Sequence, residues 1–303
     1  MKLVSIAKNG RYALGIKTEE GIIDIEQALE ASPASAEVPT TVMEVIEGGG
    51  PAVAALQQYI DGLPASTGGN APSYLLEEAG IEWGPCVTHP NKIICVGLNY
   101  RKHAEETNAK IPAYPILFNK FNNTLTGHGR DIAVPKVTQK LDYEAELVIV
   151  IGKKAKYVAR EDALSHVFGY CNVNDLSARD LQLRTPQWLL GKTCDDFSPL
   201  GPYLVTADEV GNPNNLSIKA TVNGEVRQSS NTSDMIFRCD EIVSYISQHM
   251  TLVPGDIILT GTPEGVVLGL PEDKQVYLKP GDVVTIEIEK LGALTNRFVE
   301  EMV

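Results

Sequence analysis

The chain has 303 residues, of which 43% are hydrophobic and 21% are charged, a balance typical of a folded globular protein and not of a disordered one. Its 39 acidic residues outnumber its 26 lysines and arginines, which gives a net charge of -13. A chain this acidic has no long-range attraction for nucleic acid or for an anionic membrane, and we expect neither as a partner.

The sequence also favours a cytoplasmic location. Its densest apolar run, residues 147–151, is far shorter than the roughly 20 residues of a membrane-spanning helix. Lys8 and Arg11 interrupt any signal-peptide core near the start. The cysteines at positions 86, 95, 171, 194 and 239 are odd in number and form no CxxC motif, so we expect reduced thiols.

The first part of the chain predicts a small α/β domain over residues 1–75. Two short strands, 3–7 and 12–16, flank an Asn-Gly turn, and a third strand is predicted over 22–25. A helix is predicted over 51–62, because proline stands near its start and glycine at its end. Residues 64–76 are rich in small and turn-forming residues, so we place the domain boundary there.

The second predicted domain covers residues 90–303, and strands dominate it. The predicted strands are 93–96, 116–119, 146–151, 166–173, 203–206, 216–222, 256–260 and 283–288. Helices are predicted near 99–107, 177–183 and 235–249. Because helices and strands do not alternate regularly, a doubly wound sheet is disfavoured and a β-rich α+β fold is favoured.

Three familiar motifs are excluded. Gly191-Lys192-Thr193 resembles the end of a phosphate-binding loop, but the glycine that the loop requires five residues before Gly191 is Pro186. The sequence has no GxSxG and no HExxH, and its glycine-bearing segment 261–269 lacks the GxGxxG spacing. Nucleotide binding, a serine-hydrolase elbow and a zinc-protease site therefore have no support.

Two glutamates alternate with apolar residues in a predicted strand. Glu144 and Glu146 then project to one face, which continues through Val148 and Val150 into a core, so both acids stand at its rim. Adjacent carboxylates in partial burial repel each other unless a cation lies between them, which favours a hard divalent metal. Two solvated charges on an exposed face remain the alternative.

Asp175 is a candidate third ligand, because it follows an apolar strand and precedes a helix. The alternative is that Asn174 or Asp175 only caps this helix and that Asp175 pairs with Arg179. Ser177 and Asp180 have the spacing of a capping box. Arg179 and Gln182, three residues apart, are expected to face one pocket.

Further candidates lie in three places. His103 and Glu106 have the spacing of a general base oriented by a carboxylate, or of an exposed helix pair. The proline-bearing segment that follows predicts a lid over about residues 99–115. Lys192, taken alone, is typical of a surface lysine. Residues 260–265 predict a tight loop, which is a turn or a cradle for a carboxylate.

Taken in order, these motifs resemble the fumarylacetoacetate hydrolase family. They are GLNY followed by His103, YEAEL at 143–147, VNDLSARDLQ at 173–182, Gly191-Lys192 and LTGTPEGV at 259–266. The similarity covers about residues 90–300. It implies a mixed β-sandwich roll, a homodimer, and a Mg²⁺, Mn²⁺ or Ca²⁺ ion held by Glu144, Glu146 and Asp175.

The resemblance also implies roles for other residues. His103 would be the catalytic base with Glu106 as its partner, and Lys192 would stabilise an oxyanion or enolate. The family's mammalian namesake adds an aspartate ahead of its histidine, but residues 97–100 offer no acid, so we expect three carboxylate ligands. The residues predicted to contact substrate are Arg179, Gln182, Thr262 and Tyr100.

From this resemblance we predict a divalent-metal-dependent hydrolase that cleaves a C–C bond in an acylpyruvate or another β-diketo acid. A 2-oxo acid can chelate a metal, which then acts as a Lewis acid. An oxaloacetate decarboxylase and a 2-oxo-diacid isomerase on the same site remain open. A binding protein without turnover is also open, although the retained acids, His103 and Lys192 argue against it.

Overall fold

A computed structural model describes residues 1–64 and 71–302. Seven α-helices lie in these ranges: α1 (Ile25–Ala31), α2 (Val42–Asp61), α3 (Arg101–Glu106), α4 (Arg179–Gln182), α5 (Leu189–Lys192), α6 (Ala207–Val210) and α7 (Cys239–His249). Short 3-10 helices cover Glu78–Gly80, Asn122–Thr124, Arg160–His166, Thr232–Asp234, Val267–Gly269 and Glu272–Lys274.

Eighteen strands lie in the same described ranges. They are β1 (Lys2–Lys8), β2 (Arg11–Lys17), β3 (Ile22–Asp24), β4 (Leu75–Leu76), β5 (Ile93–Gly97), β6 (Ile116–Lys120), β7 (Leu125–Thr126), β8 (Asp131–Val134), β9 (Leu141–Asp142), β10 (Ala145–Ile151), β11 (Val167–Asn174), β12 (Ser177–Ala178), β13 (Ser198–Thr206), β14 (Ser217–Val222), β15 (Glu225–Asn231), β16 (Ile257–Leu259), β17 (Val283–Ile288) and β18 (Gly292–Glu300).

The larger sheet has the strand order β4-β3-β2-β1-β13-β11-β10-β16-β5-β6, with β7 paired to β13. The N-terminal strands extend this sheet, because β1 pairs with β2 on one side and with β13 on the other. Leu3 and Leu14 also share one apolar cluster with Val148 and Val150 of β10. The domain boundary stays a prediction, and residues 65–70 within it lie outside the described residues.

The second sheet has the strand order β15-β14-β17-β18-β8. It packs on one face of the larger sheet. Side chains of β10 alternate between the two faces: Leu147 and Ile149 join the cluster that contains Ile218 and Ile286, whereas Val148 joins the other. Strand β10 is therefore covered on both faces, as its unbroken burial indicates. The predicted β-rich α+β class is confirmed.

Several predicted elements needed correction at their ends. The helix predicted over 51–62 begins at Val42, because Thr41 and Glu44 form a capping box, and the non-helical backbone of Gly49 kinks it. The helix predicted from residue 235 begins only at Cys239. The strands β8, β15 and β18 were missed, as were the two-residue strands β4, β7, β9 and β12. Strand β15 is mostly exposed and lacks the apolar alternation of a half-buried strand.

Two further observations bear on the sequence analysis. Among the described helices, none combines the length and the apolarity that crossing a membrane requires. The five cysteines, all within the described part of the chain, are unpaired, and all except Cys194 are buried.

Candidate functional site

Three acids meet where two central strands end. Strands β10 and β11 are antiparallel, with Ala145 opposite Asn174, so Glu144 before β10 and Asp175 after β11 come together. One carboxylate oxygen each from Glu144, Glu146 and Asp175 lies within 4.8 Å of the other two. The three residues are 5%, 3% and 0% exposed, so they lie deeper than the predicted rim position, and the solvated-charge alternative is wrong.

This acidic cluster fits a hard divalent cation. Its donors are all oxygens, which Mg²⁺, Mn²⁺ and Ca²⁺ prefer. Burial, together with the charges of Asp175 and Glu144, raises the pKa of Glu146 well above its usual range. Such repulsion between buried carboxylates is relieved when a cation binds between them.

Lys192 lies among the same acids. Its Nζ is 2.8 Å from Glu144 Oε2 and 2.8 Å from Asp175 Oδ2, and the residue is 2% exposed, so the surface-lysine alternative is wrong. Burial lowers the pKa of Lys192, but the charges of Asp175 and Glu144 outweigh it and raise this pKa above its usual value. Burial likewise raises the pKa of Glu144, which Lys192 and Arg179 nevertheless hold at about 2.

Arg179 is buried beside this cluster and uses most of its donors within the protein. Its Nε donates to Asp142 (2.8 Å), and its Nη1 lies 2.8 Å from Glu144 Oε1 and 2.9 Å from Gln182 Oε1. Its Nη2 is buried and has no hydrogen-bond partner among the described residues. Arg179 and Gln182 both line one cleft, as predicted.

The predicted capping arrangement around Asp175 is wrong. The Ser177 hydroxyl donates to the Asp175 carbonyl (2.9 Å), and Asp180 accepts from the Thr138 hydroxyl and the Gln139 amide. Ala178, which offers no side-chain acceptor, stands at the N-cap of α4. The Asp175–Arg179 pair is also absent from the described contacts, because Asp175 is bound by two lysines.

His103 and Glu106 form a hydrogen-bonded pair on α3. His103 Nδ1 lies 2.7 Å from Glu106 Oε1, and the other Glu106 oxygen accepts from the Gly265 amide at 2.9 Å. His103 is 7% exposed and lines the same cleft as the acids, so the exposed-pair alternative is wrong. Since a carboxylate only accepts, Nδ1 carries the proton in the neutral ring and Nε2 is left basic.

The loop over residues 260–269 does bind carboxylates, but those of the protein itself. Its amides donate in three places: Gly261 to Glu146 (2.8 Å), Gly265 to Glu106 (2.9 Å), and Val267 and Leu268 to Asp142 (3.0 Å each). The predicted cradle for a ligand carboxylate is corrected accordingly. Thr262 lines the cleft, and its hydroxyl accepts from Gln228 Nε2 at 2.9 Å.

Two residues of this site were missed by sequence reasoning. Lys120, at the end of β6, is fully buried at its side chain and donates to Asp175 Oδ1 and to the Phe197 carbonyl. Asp142 binds Arg179 and the 260–269 loop. Neither has a local signal, because a lysine ending a strand and an aspartate before a tyrosine are common at surfaces.

Tyr100 lies elsewhere than predicted. Its side chain is 0% exposed and packs in the apolar cluster that also contains Ile94 and Val96. It does not belong to the described lining of the cleft. It therefore supports the fold beneath the site and has no surface to offer a substrate.

Comparison with known proteins places these residues in context. Residues 92–299 match the family described as fumarylacetoacetate (FAA) hydrolase C-terminal. The chain is 50% identical over 215 residues to the oxaloacetate tautomerase FAHD2A, mitochondrial, of Bos taurus, covering 70% of this chain and 68% of that protein. It is 41% identical over 290 residues to the oxaloacetate tautomerase fahd2, mitochondrial, of Xenopus laevis, covering 94% and 86%.

A solved structure shares the fold over its whole length. The maleylpyruvate hydrolase of Sphingobium sp. SYK-6, in complex with manganese(II) ion and pyruvate, is 30% identical with a TM-score of 0.79, and 100% of both chains is covered.

Proposed function

This chain belongs to the fumarylacetoacetate hydrolase family, and from that premise we propose that it is a divalent-metal-dependent tautomerase of a small 2-oxo dicarboxylic acid. The observation that carries the proposal is the placement of a histidine–carboxylate pair and a buried acidic cluster on one cleft. The relatives named oxaloacetate tautomerase support oxaloacetate as the first substrate to test.

The acidic cluster would hold the metal. Glu144, Glu146 and Asp175 supply oxygens suited to Mg²⁺ or Mn²⁺, and Ca²⁺ is a further candidate. When bound, the ion supplies Lewis acidity to the 2-oxo group of the substrate, which makes the neighbouring C–H bond more acidic.

His103 would move the proton. In enolisation, its Nε2 takes the proton from the carbon beside the 2-oxo group while the electron pair of that C–H bond forms the C=C bond. The carbonyl oxygen becomes negative and takes up a proton from water to give the enol, and the imidazolium then releases its proton to solvent. Glu106 holds the ring in the required tautomer and stabilises the imidazolium. In the reverse direction, the imidazolium returns the proton to carbon.

Two cations suit an anionic substrate. Arg179 Nη2, buried and unpartnered among the described residues, can donate to a substrate carboxylate. Lys192 stays protonated because its pKa is raised, so it stabilises the developing negative oxygen by charge and not by acid catalysis. Arg179 and Lys192, the two cations that attract the anionic substrate, are both held in place by Glu144, which contacts each of them.

Hydrolysis of an acylpyruvate is the second candidate. The same His103–Glu106 pair could activate water for attack on a distal carbonyl, and the solved relative is named a maleylpyruvate hydrolase. Decarboxylation of oxaloacetate passes through the same enolate and needs less from His103.

A homodimer and a cytoplasmic location are further proposals, which sedimentation and cell fractionation would test.

One experiment separates these reactions. Enol-oxaloacetate is mixed with protein and Mg²⁺, and the ultraviolet band of the enol is followed while pyruvate is assayed in parallel from oxaloacetate and from acylpyruvates. We expect ketonisation faster than with Mg²⁺ alone and little pyruvate. Pyruvate release from acylpyruvates without accelerated ketonisation would instead establish the hydrolase. Mg²⁺ without protein is the control for this experiment, and Glu161→Gln, at an exposed glutamate, is the control for substitutions in the site.

A further inference from the structure

One wall of the cleft is aromatic. Phe118 from β6 and Trp188, the residue before α5, both line it, and we call these two residues the aromatic wall. Their rings meet edge to face, with centroids 5.3 Å apart and planes at 71°. Lys192 Nζ lies 5.2 Å from the centroid of the Phe118 ring. The aromatic wall therefore begins directly beside Lys192, the cation proposed to stabilise the negative oxygen of the substrate.

The position of Trp188 is fixed by a close approach to the backbone of β5. A Cβ atom built on Gly97 would lie 2.5 Å from Trp188 Cζ3 and 2.9 Å from Cη2, closer than such contacts allow. The indole therefore rests on the main chain at Gly97. Because the indole also packs edge to face with Phe118, it has little freedom to move away from the cleft.

The space that remains is small. The cleft has a volume of about 190 Å³, and the charged part of its lining is formed by Glu144, Glu146, Arg179 and Lys192. A ligand whose 2-oxo acid group sits at these charges must direct its other substituent along the remaining lining, which is mostly apolar. Trp188 is the largest side chain there.

We propose that Trp188 is a specificity-determining residue, whose indole occupies the volume that a long or aromatic substituent on the 2-oxo acid would need. The inference rests on the proposed function for the position of the 2-oxo acid group, and it narrows the substrate class to compact 2-oxo acids. One misfitting methylene group costs about 10–200-fold in discrimination, so a single indole can set this limit.

The test measures binding, so it does not depend on which reaction the enzyme performs. Dissociation constants are determined by calorimetry with Mg²⁺ for pyruvate, 2-oxobutyrate, 2-oxohexanoate and phenylpyruvate. For the unmodified protein we expect affinity to fall at least about tenfold along this series. In Trp188→Ala, phenylpyruvate should gain about tenfold, whereas pyruvate should change little.

Controls separate size from folding. Leu190→Ala removes an exposed side chain of α5, the helix that follows Trp188; this side chain does not line the cleft, so the variant should keep the original series. Trp188→Phe keeps an aromatic ring beside Phe118, so it should show a smaller gain even if Trp188→Ala unfolds.

Two outcomes would overturn the inference. If Trp188→Ala and Trp188→Phe keep the affinity series of the unmodified protein while ketonisation is normal, Trp188 does not set the limit and the proposed function stands. If the unmodified protein with Mg²⁺ binds none of the four acids, the 2-oxo acid group does not bind at these charges and the inference fails, whereas ketonisation of oxaloacetate decides the proposed function separately.

Discussion

The acidic cluster and the segment over residues 99–115 face the same cleft but are built differently. The cluster sits at the ends of β10 and β11, which are paired on both sides within the large sheet. The segment carries a helix of six residues and then exposed side chains, including Ile111 at 49% and Tyr114 at 71%. The groups that hold charge are thus fixed in the sheet, whereas the proton-transfer group lies on a short helix that continues into an exposed segment.

A small set of hydrogen bonds attaches this segment to the core. Asn99 Nδ2 donates to the carbonyls of Thr260 (2.7 Å) and Phe237 (3.0 Å), and Glu106 accepts from Gly265. We therefore expect the segment to hinge near Asn99, with the Glu106–Gly265 hydrogen bond holding the closed arrangement that the structure shows. The lid stays a prediction, and the comparison with the cluster suggests how to test it.

The largest effect should come from the cluster itself. Chelation should abolish turnover, and Mg²⁺ or Mn²⁺ should restore it. Glu146→Gln keeps the volume of this buried side chain but removes its charge, so metal affinity should fall more than about 100-fold. Calorimetric titration with Mn²⁺ measures this, with Glu161→Gln as the control. Normal metal binding by Glu146→Gln would disprove the ligand assignment.

The next effect should come from the proton-transfer pair. His103→Ala should lower kcat for ketonisation by about 10²–10⁴-fold and leave metal affinity unchanged, since His103 is not among the acids. Oxaloacetate decarboxylation should suffer less, because it needs only enolate stabilisation and a later proton. Equal losses in both reactions would contradict the role of His103 as the base.

A smaller effect should follow from a residue behind the cluster. Lys120→Met leaves Asp175 Oδ1 without its buried cation, so metal affinity should fall about 10–100-fold, as for other residues that orient a ligand. The free energy of unfolding of the metal-free protein should also fall, by about 3–5 kcal/mol. Lys102→Met, at an exposed lysine, is the matched control. Unchanged Mn²⁺ affinity in Lys120→Met would show that Asp175 needs no such support.

The smallest effect should be seen without any substitution. Binding of Mg²⁺ and oxalate, an enolate mimic, should slow hydrogen exchange at amides of residues 101–115 and leave residues 145–151 unchanged. The measurement is hydrogen–deuterium exchange followed by mass spectrometry. Exchange that is equally slow in both states would mean that the segment is already closed.

The sequence predicted the cluster because its signals are local. Glu144 and Glu146 alternate with apolar residues, and Asp175 follows an apolar strand, so strand periodicity alone brings the first two together. The partners of these acids come from distant segments: Lys120 lies 55 residues before Asp175 in the chain. The capping box at Ser177 and Asp180 failed for the same reason, because Thr138 and Gln139 bind Asp180 instead. Spacing cannot reveal such competition.

The 260–269 loop joins these two regions through its main chain, since it binds Glu146, Glu106 and Asp142 with amide groups. Every residue type except proline has a backbone amide N–H. The hydrogen-bond donors at positions 267 and 268 therefore do not depend on which other side chain stands there. Position 265 is the exception, because its φ of +100° and the 2.1 Å from a built Cβ to the Arg227 carbonyl oxygen admit only glycine. We therefore expect homologous sequences to exclude proline at 267 and 268 and to keep glycine at 265.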